Sequence, residues 1–347
     1  MGPSPERTAD AARLLDIVSG SWKTQAVYVA ARLGIADRLH DSPRSAAELA
    51  SEIGAHGPSL ERLLRALVAI AIVRPRPDGA FELTPTGSLL REEAPVSLRA
   101  WVLHWGGACW PVWGQLLHSV MTGDSARQLN PGTAAFDRLA SDSEAARIFH
   151  QAMSQLTRLL VGAFVAAVDW TGARKIVDVG GGSGELLVAA LGACPGSVGI
   201  LFDEPHAIEL GRRNVRAAGL EHRCEFVAGD FFDRVPEGAD TYLLKSVLHD
   251  WNDERATAIL ASCRRALGPA ARLLVVERIA PGRFGASPDD QELACMDLHM
   301  LVQHGGRERT EAELRELLSD AGLRTAGVKP LRSTLAVIEA VPASANG

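Results

Sequence analysis

The chain has 347 residues, which at the usual size of ~150 residues per domain is enough for about two domains, and its composition is that of an ordinary globular protein. Lys and Arg total 36 against 42 Asp and Glu, so a net charge of −6 disfavours binding to the phosphate backbone of nucleic acids. The longest uninterrupted apolar stretch, Ala66–Val73, is too short to span a bilayer, and the N-terminus MGPSPERTAD has no hydrophobic signal core. We therefore predict a cytoplasmic protein that binds neither nucleic acid nor a membrane.

The cysteines are odd in number and lack the C-x-x-C spacing of disulfide frameworks or zinc cages. They are predicted to be reduced, buried thiols and comprise Cys109, Cys194, Cys224, Cys263 and Cys295.

Residues 10 to 95 are rich in Ala and Leu at helical spacing. Ser45-Ala-Ala-Glu48 is a capping-box sequence, and Ser59 precedes the apolar run LERLLRALVAIAIV. Asp78-Gly79 then lies between two short strand-like segments, as in a hairpin that follows a helical pair. This order predicts a winged-helix-like domain over residues 1–95, with a scaffold or dimerisation role favoured over DNA binding because the chain is acidic.

Residues 96–170 are predicted to form a helical segment with four of the seven tryptophans near its start, at 101, 105, 110 and 113. These rings are typical either of an aromatic core or of a flat, apolar pocket wall for an aromatic ligand. The second interpretation places Trp105 among the candidate substrate-binding residues, and the sequence leaves both open.

Residues 171–347 alternate strands with helices, which predicts an α/β domain with a doubly wound, Rossmann-like parallel sheet. The strand candidates are KIVDVG, SVGILFDEP, RCEFVAGDFF, TYLLKSVLHDW and RLLVVERIAP. Two later candidates, LRTAGVKPL and STLAVIEAV, are close together and are expected to close the sheet as an antiparallel hairpin.

The first of these strands runs into a glycine-rich turn that predicts a nucleotide-type cofactor site. Gly180, Gly182 and Gly184 leave backbone N–H groups open at the start of a helix, but no Gly-Lys-Ser/Thr follows, and Glu185 would face a pyrophosphate. Asp178 at the strand end would repel a phosphate and attract a cation. The loop therefore favours S-adenosylmethionine, which has a sulfonium and an amino group but no phosphate.

The following strand ends carry acidic and aromatic residues at the edge where open parallel sheets bind ligands. Asp203-Glu204 follows the second strand at the distance expected for a ribose-binding carboxylate. Gly229-Asp230-Phe231-Phe232 follows the third strand, where Asp230 can accept from an adenine amino group and either Phe ring can stack on the base. All of these are candidate cofactor-binding residues.

The fourth strand ends with Lys245-Ser-Val-Leu-His249-Asp250-Trp251, which places an imidazole at the mouth of the site. His249 is the candidate general base, and Glu277 at the end of strand five or Glu308 in GGRERT can hold its ring. His299 and His304 stand five residues apart, a poor spacing for one helical face, so no metal site is predicted.

These motifs together resemble the S-adenosylmethionine-dependent small-molecule O-methyltransferases of plant caffeate type and of bacterial antibiotic and polyketide pathways. VDVGGGSG, GDFF, LLKSVLHDWNDERA, VVERIAP and MDLHMLVQHGGRERT occur in the family's order, and AARLGIADRL with LERLLRALVAIAIV resembles its dimerisation domain. The resemblance covers nearly the whole chain.

The resemblance implies that His249 is the general base oriented by Glu277 and Glu308, and that the protein is a homodimer. It implies that the Gly180–Gly184 loop, Asp203, Asp230, Phe231 and Lys245 bind the cofactor, and that the acceptor pocket includes Phe149, Met153, Trp251, Asp297 and Met300. Asp250 and Trp105 complete the predicted substrate-binding set. Glu204 departs from the family, which commonly has an apolar residue there.

The function expected from this set is methylation of a hydroxyl on a small aromatic natural product. Two alternatives stay open from sequence: a tailoring enzyme of the same fold that does not methylate, and a winged-helix regulator that senses a small ligand.

Overall fold

The computed structural model describes residues 5–129, 139, 142–331 and 334–343. The chain forms two compact units, Met1–Trp110 and Pro111–Gly347. The predicted three-part division, with boundaries after residues 95 and 170, stays a prediction.

The first unit is a helical domain with one small hairpin. Its elements are α1 (Pro5–Arg32), α2 (Ile35–Arg38), α3 (Ala46–Ile53), α4 (Gly57–Ala69), β1 (Val73–Pro75), β2 (Phe81–Leu83), α5 (Pro85–Ser88), α6 (Arg99–Leu103) and a π-helical turn over His104–Cys109. Its core is built from Ile35, Leu49, Leu64, Leu67 and Val73.

The predicted local signals of this unit are present. Ser45 Oγ accepts from the Glu48 N–H at 3.2 Å and the Glu48 carboxylate accepts from the Ser45 N–H at 2.7 Å, which is a complete capping box. The strands pair antiparallel from Val73↔Leu83 to Pro75↔Phe81 around the Asp78-Gly79 turn, and Gly79 has a φ of 82° that glycine adopts without strain. The winged-helix-like outline is thereby confirmed.

The apolar run LERLLRALVAIAIV differs at both ends from the helix α4 that contains most of it. The helix begins at Gly57, and the Ser59 hydroxyl lies 2.9 Å from His56 Nδ1. It ends at Ala69, Ala71 turns the chain with a left-handed φ of 57°, and Val73 begins β1. β-branched Ile and Val at this end pack equally well in a strand, so apolar periodicity alone does not locate the boundary.

The second unit contains a mixed sheet with the order β5-β4-β3-β6-β7-β10-β9. The strands are β3 (Lys175–Val179), β4 (Val198–Asp203), β5 (Cys224–Ala228), β6 (Thr241–Lys245), β7 (Arg272–Ala280), β8 (Arg309–Thr310), β9 (Leu323–Pro330) and β10 (Leu335–Pro342). The first five are parallel, whereas β10 pairs antiparallel with both β7 and β9, as the predicted hairpin requires.

Helices cover both faces of this sheet. They are α7 (Trp110–Trp113, which spans the boundary between the units), α8 (Leu116–Thr122), α9 (Ser143–Ala167), α10 (Glu185–Ala193), α11 (Pro205–Ala217), α12 (Asp253–Ala266), α13 (Pro288–His304) and α14 (Glu311–Asp320). Because both faces are covered, the central strands are apolar almost throughout; alternate residues point to opposite cores, such as Ile176 to one and Val177 to the other.

The strand order reverses beside β3, because β4 and β5 lie on one side of it and β6 and β7 on the other. In open α/β sheets this switch point leaves a crevice beyond the carboxyl ends of the strands. The chain segments that follow β3, β4 and β6 meet there, and they contain the glycine loop, Asp203 and His249.

Candidate active site

The glycine loop after β3 is shaped by backbone conformations that side chains rarely adopt. Gly180, Gly182 and Gly184 have φ values of 64°, 54° and 73°. At Gly181 a Cβ would lie 2.5 Å from Leu201 Cδ1 and 2.7 Å from the Asp178 carboxyl carbon. Because its glycines have no side chains, the loop can place backbone N–H groups against a ligand, and it leads directly into α10.

Asp178 supplies a buried negative group beneath this loop. It is 1% exposed, and its Oδ2 has no hydrogen-bond partner among the described residues. Burial, reinforced by the charge of Asp203, raises the pKa of Asp178 to about 7. A buried carboxyl with an unmade hydrogen bond fits a cationic ligand group and disfavours a phosphate.

Asp203 at the end of β4 is tied to the glycine loop. Its Oδ2 accepts from the Gly182 N–H and its Oδ1 from the Glu204 N–H, both at 2.6 Å. Burial raises the pKa of Asp203. Glu204 places its carboxylate 3.3 Å from His206 Nδ1 and stays about half exposed, and its charge adds to the rise in the Asp203 pKa.

The segment after β5 forms a turn with two aromatic rings. Asp230 Oδ1 accepts from the Phe232 N–H at 2.8 Å, and Gly229 leaves no room for a side chain because a Cβ would lie 2.5 Å from the Phe202 ring. The Phe231 ring lies near Gly180, with its Cε1 3.6 Å from the Cβ position of that glycine. Trp251 packs edge-on against Phe232 at 4.9 Å.

Lys245 at the end of β6 is a partly buried cation whose ammonium donates to Ser246 Oγ at 3.2 Å. Burial lowers the pKa of Lys245 to about 8, and the nearby Glu277 opposes that shift. Ser246 has a left-handed φ of 52°, a strained conformation for a residue with a side chain, and it turns the chain from β6 toward His249.

His249 is surrounded by three carboxylates. Its Nδ1 lies 3.1 Å from Glu308 Oε1 and 3.7 Å from Glu277 Oε2, and its Nε2 lies 3.7 Å from Asp250 Oδ1. Glu277 is itself held by the N–H groups of Val247 and Leu248, at 2.9 and 2.8 Å. The predicted base and both predicted orienting acids are therefore brought together.

These carboxylates change the proton affinity of the imidazole. Burial by itself would lower the pKa of His249, but the charges of Glu277, Glu308 and Asp250 raise it to about 10. Burial likewise raises the pKa of Asp250 to about 7 and raises that of Glu277. At neutral pH His249 is thus an imidazolium, with a pKa well above the ordinary ~6.5.

Strand β8 is what brings Glu308 to this place. It pairs in parallel with the end of β7, Ile279 with Arg309 and Ala280 with Thr310, just beyond Glu277. Glu308 is fixed further because its N–H donates to Asp297 Oδ1 at 2.8 Å. Asp297, predicted to contact the acceptor, therefore supports the backbone of Glu308.

Arg309 fixes the turn that contains His249. Its guanidinium is 2% exposed and donates to the carbonyls of Leu248 at 2.8 Å and Trp251 at 2.7 Å, and to Asp253 at 2.9 Å. The Arg307 N–H donates to the His249 carbonyl at 2.9 Å. Gly306 packs so closely there that a Cβ would lie 2.1 Å from the same carbonyl oxygen.

The other predicted acceptor residues are more dispersed. Met300 is 4% exposed on α13, while Phe149 and Met153 lie on α9, where the Met153 carbonyl accepts from Thr157 Oγ1 at 2.8 Å. Trp105 belongs to the first compact unit and packs edge-on against Trp101 at 5.5 Å. Their contact with an acceptor stays a prediction.

Sequence reasoning missed three residues at this site. Ser246 gives no sequence signal, because its strain is visible only in the backbone. Arg309 is inside the recognised GGRERT motif but makes contacts 56 to 61 positions away in the chain. His304 was considered only as a metal ligand, whereas its Nε2 lies 3.5 Å from Asp250 Oδ1.

Among the described residues around His249, the base cluster itself is a set that could also hold a metal ion. His249, Glu277 and Glu308 each offer one ligand atom, all within 4.8 Å of one another. Glu308 Oε1 already contacts His249 Nδ1 at 3.1 Å, and Glu277 Oε1 already accepts from the N–H groups of Val247 and Leu248.

The sheet order, the glycine cradle over a buried acid and the absence of a Walker lysine define the class of S-adenosylmethionine-dependent methyltransferases. Comparison with known proteins agrees. The O-methyltransferase domain matches residues 113–324, and the O-methyltransferase dimerisation domain matches residues 15–93. The chain belongs to the O-methyltransferase family and is an S-adenosylmethionine-dependent enzyme of natural-product biosynthesis.

The relatives are bacterial tailoring enzymes. The chain is 40% identical to the phenazine O-methyltransferase of Lysobacter antibioticus, over 95% of each chain, and 37% identical to the mitomycin biosynthesis 6-O-methyltransferase of Streptomyces lavendulae, over 92% of this chain and 93% of that one. A phenazine-1-carboxylate N-methyltransferase of Pseudomonas aeruginosa is 32% identical over 90% of this chain and 92% of its own length.

Solved structures extend the likeness to three dimensions. LaPhzM matches with a TM-score of 0.92 at 39% identity, covering 96% of this chain and 99% of that one. NcsB1, solved with S-adenosylmethionine and 2-hydroxy-5-methyl naphthoic acid, matches with a TM-score of 0.80 at 37% identity, covering 92% and 96%. The predicted enzyme class and cofactor are confirmed, which removes the regulator alternative. Along the described residues, no helix has the length and apolarity needed to cross a bilayer.

Proposed function

We propose that this enzyme methylates a hydroxyl group on a small aromatic natural product, with His249 as the general base. The observation on which this depends is the fixed imidazole: Nδ1 is held by Glu308 at 3.1 Å, which directs Nε2 to the opposite side of the ring. A base held in this way by an acid on its far nitrogen has the arrangement of general bases in hydrolase triads.

The acids around His249 match its basicity to that of a phenol. With an ordinary imidazole, transfer of a proton from a phenol of pKa ~10 would cost about 5 kcal/mol. A His249 pKa of about 10 makes the same transfer nearly balanced. The neutral imidazole is then scarce at pH 7, about one molecule in a thousand, so activity should increase toward alkaline pH or with more acidic hydroxyls.

S-adenosylmethionine supplies the electrophilic methyl group when it is bound. The residues proposed to hold it are Asp178, Gly180, Gly182, Gly184, Asp203, Glu204, Gly229, Asp230, Phe231, Phe232 and Lys245. Asp178 can attract a cationic group, and the Phe rings can stack on a base. Asp203 can accept hydrogen bonds from hydroxyls if these replace its present bonds from the backbone N–H groups of Gly182 and Glu204. The acceptor is proposed to contact Trp105, Phe149, Met153, Asp250, Trp251 and Met300, with Asp297 acting through Glu308.

The proposed quaternary structure is a homodimer joined through the first unit. Helix α1 exposes Leu14 at 62%, Ile17 at 66%, Val18 at 63% and Trp22 at 75%, which is unusual for a surface helix in water. The match of residues 15–93 to the dimerisation domain supports a second copy as the occupant of this face.

The function is tested by incubating the enzyme with methyl-labelled S-adenosylmethionine and a panel of phenolic polyketides, flavonoids and phenazines. Mass spectrometry detects the labelled products, and NMR locates the methyl group. We expect an aryl methyl ether. Products methylated only on nitrogen, or turnover without label incorporation, would replace this proposal with N-methylation or with a non-methylating reaction of the same fold.

A further inference from the structure

His150 on α9 is a buried imidazole that no step of the proton transfer uses. It is 8% exposed, and its Nε2 has no hydrogen-bond partner among the described residues. Burial, reinforced by the nearby His206, lowers the pKa of His150 to about 4, so the ring is neutral at physiological pH. A neutral imidazole has one N–H donor and one acceptor nitrogen. Because an unmade hydrogen bond in a buried ring is costly, this nitrogen points to a missing partner.

The side of α9 that contains His150 is attached to the end of the glycine loop. His150, Ser154 and Arg158 are spaced four residues apart and therefore share one face of the helix. Ser154 Oγ and Arg158 Nη2 both donate to Glu185 Oε1, each at 2.6 Å. Glu185 is the first residue of α10 and directly follows the loop. These contacts hold α9 against the carboxyl end of β3, the edge at which the cofactor is proposed to bind.

The ring of His150 also lies beside the segment that follows β4. Its centroid is 5.2 Å from that of His206, with the two planes tilted by 46°. His206 stands three residues after Asp203, the acid proposed to bind hydroxyls of the cofactor. Burial raises the pKa of Asp203, and the nearby His206 opposes that rise. His206 is thus close to both His150 and Asp203, which places His150 at the ends of β3 and β4 together.

We propose that His150 is a further cofactor-binding residue, whose Nε2 forms a hydrogen bond to a ribose hydroxyl of S-adenosylmethionine. This inference rests on the proposed role of Asp203, because it takes the ribose to lie at the end of β4. A hydroxyl donates one hydrogen bond and accepts others. It can therefore donate to Asp203 while its oxygen accepts from the N–H of His150. The cofactor then supplies the partner that the buried imidazole lacks.

The neutral state of the ring favours a hydroxyl over the carboxylate of the cofactor's amino acid. A carboxylate in contact would stabilise an imidazolium, whereas burial and His206 both disfavour the charged ring. A purely structural role, in which His150 only fills space between α9 and α11, would make no distinction between ligands with and without a particular hydroxyl. The two roles therefore differ in a measurable quantity.

The test compares S-adenosylhomocysteine with its 2′-deoxy and 3′-deoxy analogues, each of which lacks one ribose hydroxyl. Calorimetry at pH 8 measures their binding to the full-length enzyme and to His150→Phe, which keeps a ring but has no N–H. We expect His150→Phe to weaken S-adenosylhomocysteine binding about tenfold, the size of one hydrogen bond, and to weaken binding of one of the two analogues by threefold or less. His150→Gln, whose amide nitrogen can reach the position of Nε2, should recover most of the lost affinity.

The exposed His222 provides the matched control, because His222→Phe should bind all three ligands as the wild type does. His150→Ala repeats the comparison without a bulky ring, and thermal melts verify that each variant is folded. An equal loss for all three ligands would make His150 structural, and unchanged S-adenosylhomocysteine affinity would remove it from the site; either result overturns the proposal. Asp203→Ala tests the ribose acid separately: if it binds all three ligands with wild-type affinity, the proposed role of Asp203 fails, whatever the His150 variants show.

Discussion

At the scale of single residues, the site is defined by ionisable side chains whose pKa values are shifted by burial and by neighbouring charges. Asp178 and Asp250 are carboxyls whose pKa values burial raises to about 7, and Lys245 is an amine whose pKa burial lowers to about 8. The pKa of His249 is raised although burial alone would lower it, because the charges of three nearby acids have the larger effect. Each of these shifts makes binding or chemistry depend on pH in a direction that can be stated.

Cofactor binding should strengthen as pH rises through about 7. Below its pKa Asp178 is neutral and cannot attract a cation, so affinity for S-adenosylmethionine should increase by up to tenfold per pH unit from about 5.5 to 7 and then level off. The Asp178→Asn variant should bind S-adenosylmethionine weakly, with an affinity that does not change with pH. The control Asp320→Asn, at an exposed position, should keep the wild-type pH dependence. Calorimetry across the pH range decides; wild-type affinity that does not change with pH contradicts the role given to Asp178.

Glu308 should set the pH dependence of turnover. Its charge and hydrogen bond raise the pKa of His249, so Glu308→Gln should lower that pKa and move the rising limb of kcat/KM to lower pH. The ionisation of the phenol is the same in both enzymes, so the displacement between the two profiles reports the histidine. Superimposable profiles would show that Glu308 does not act on His249.

The residue pairs that sequence reasoning identified were those ordered by the sheet. Glu277 lies within β7 and His249 follows the neighbouring strand β6, so their proximity was predictable from strand order. The contacts of Asp250 with His304, and of Arg309 with the His249 turn, depend on how the segment after α13 folds back, and no periodicity specifies that path.

At the scale of elements, the parallel strands and their ligand-binding ends were predictable because apolar runs of strand length alternate with helices. The capping box of α3 was equally predictable, since its two hydrogen bonds are local. The end of α4, the left-handed Ala71 and the π-helical turn at His104–Cys109 were not, because tertiary packing decides them.

The close packing of the segment at Gly306 against the His249 turn should make that glycine essential. Gly306→Ala would drive a methyl group against the His249 carbonyl and displace the base, so we expect kcat to fall at least tenfold with a lower thermal midpoint. Gly268→Ala is the matched control, because its Cβ would meet nothing within 4 Å. Equal activity of the two variants, measured alongside thermal melts, would show that this contact does not position His249.

At the scale of the whole molecule, the two compact units correspond to two separate tasks. The first contains the segment that matches the dimerisation domain, and the second contains the residues proposed to bind the cofactor and the proposed base. The exposed apolar side chains of α1, like those of Leu117, Val120 and Met121 on α8, have no role in the catalytic account.

Charged substitutions on α1 should separate the proposed dimer. Leu14→Glu with Val18→Glu places two acids on its apolar face and should give monomers by light scattering at micromolar concentration, whereas Arg13→Glu, at an exposed polar position of the same helix, should stay dimeric. A wild-type protein that is monomeric under these conditions, or a double variant that stays dimeric, would mean that another surface or none joins two copies.

The central claim, that His249 removes the proton from the acceptor hydroxyl, is tested most directly by His249→Gln, assayed at pH 8 for 2-naphthol turnover and for S-adenosylmethionine affinity. General-base loss typically costs ~10²–10⁴ in rate. We expect a fall of that size in kcat with cofactor affinity unchanged within threefold, and wild-type behaviour from the exposed control His222→Gln. A His249→Gln enzyme that methylates 2-naphthol at the wild-type rate would leave His249 as a structural residue and contradict the mechanism.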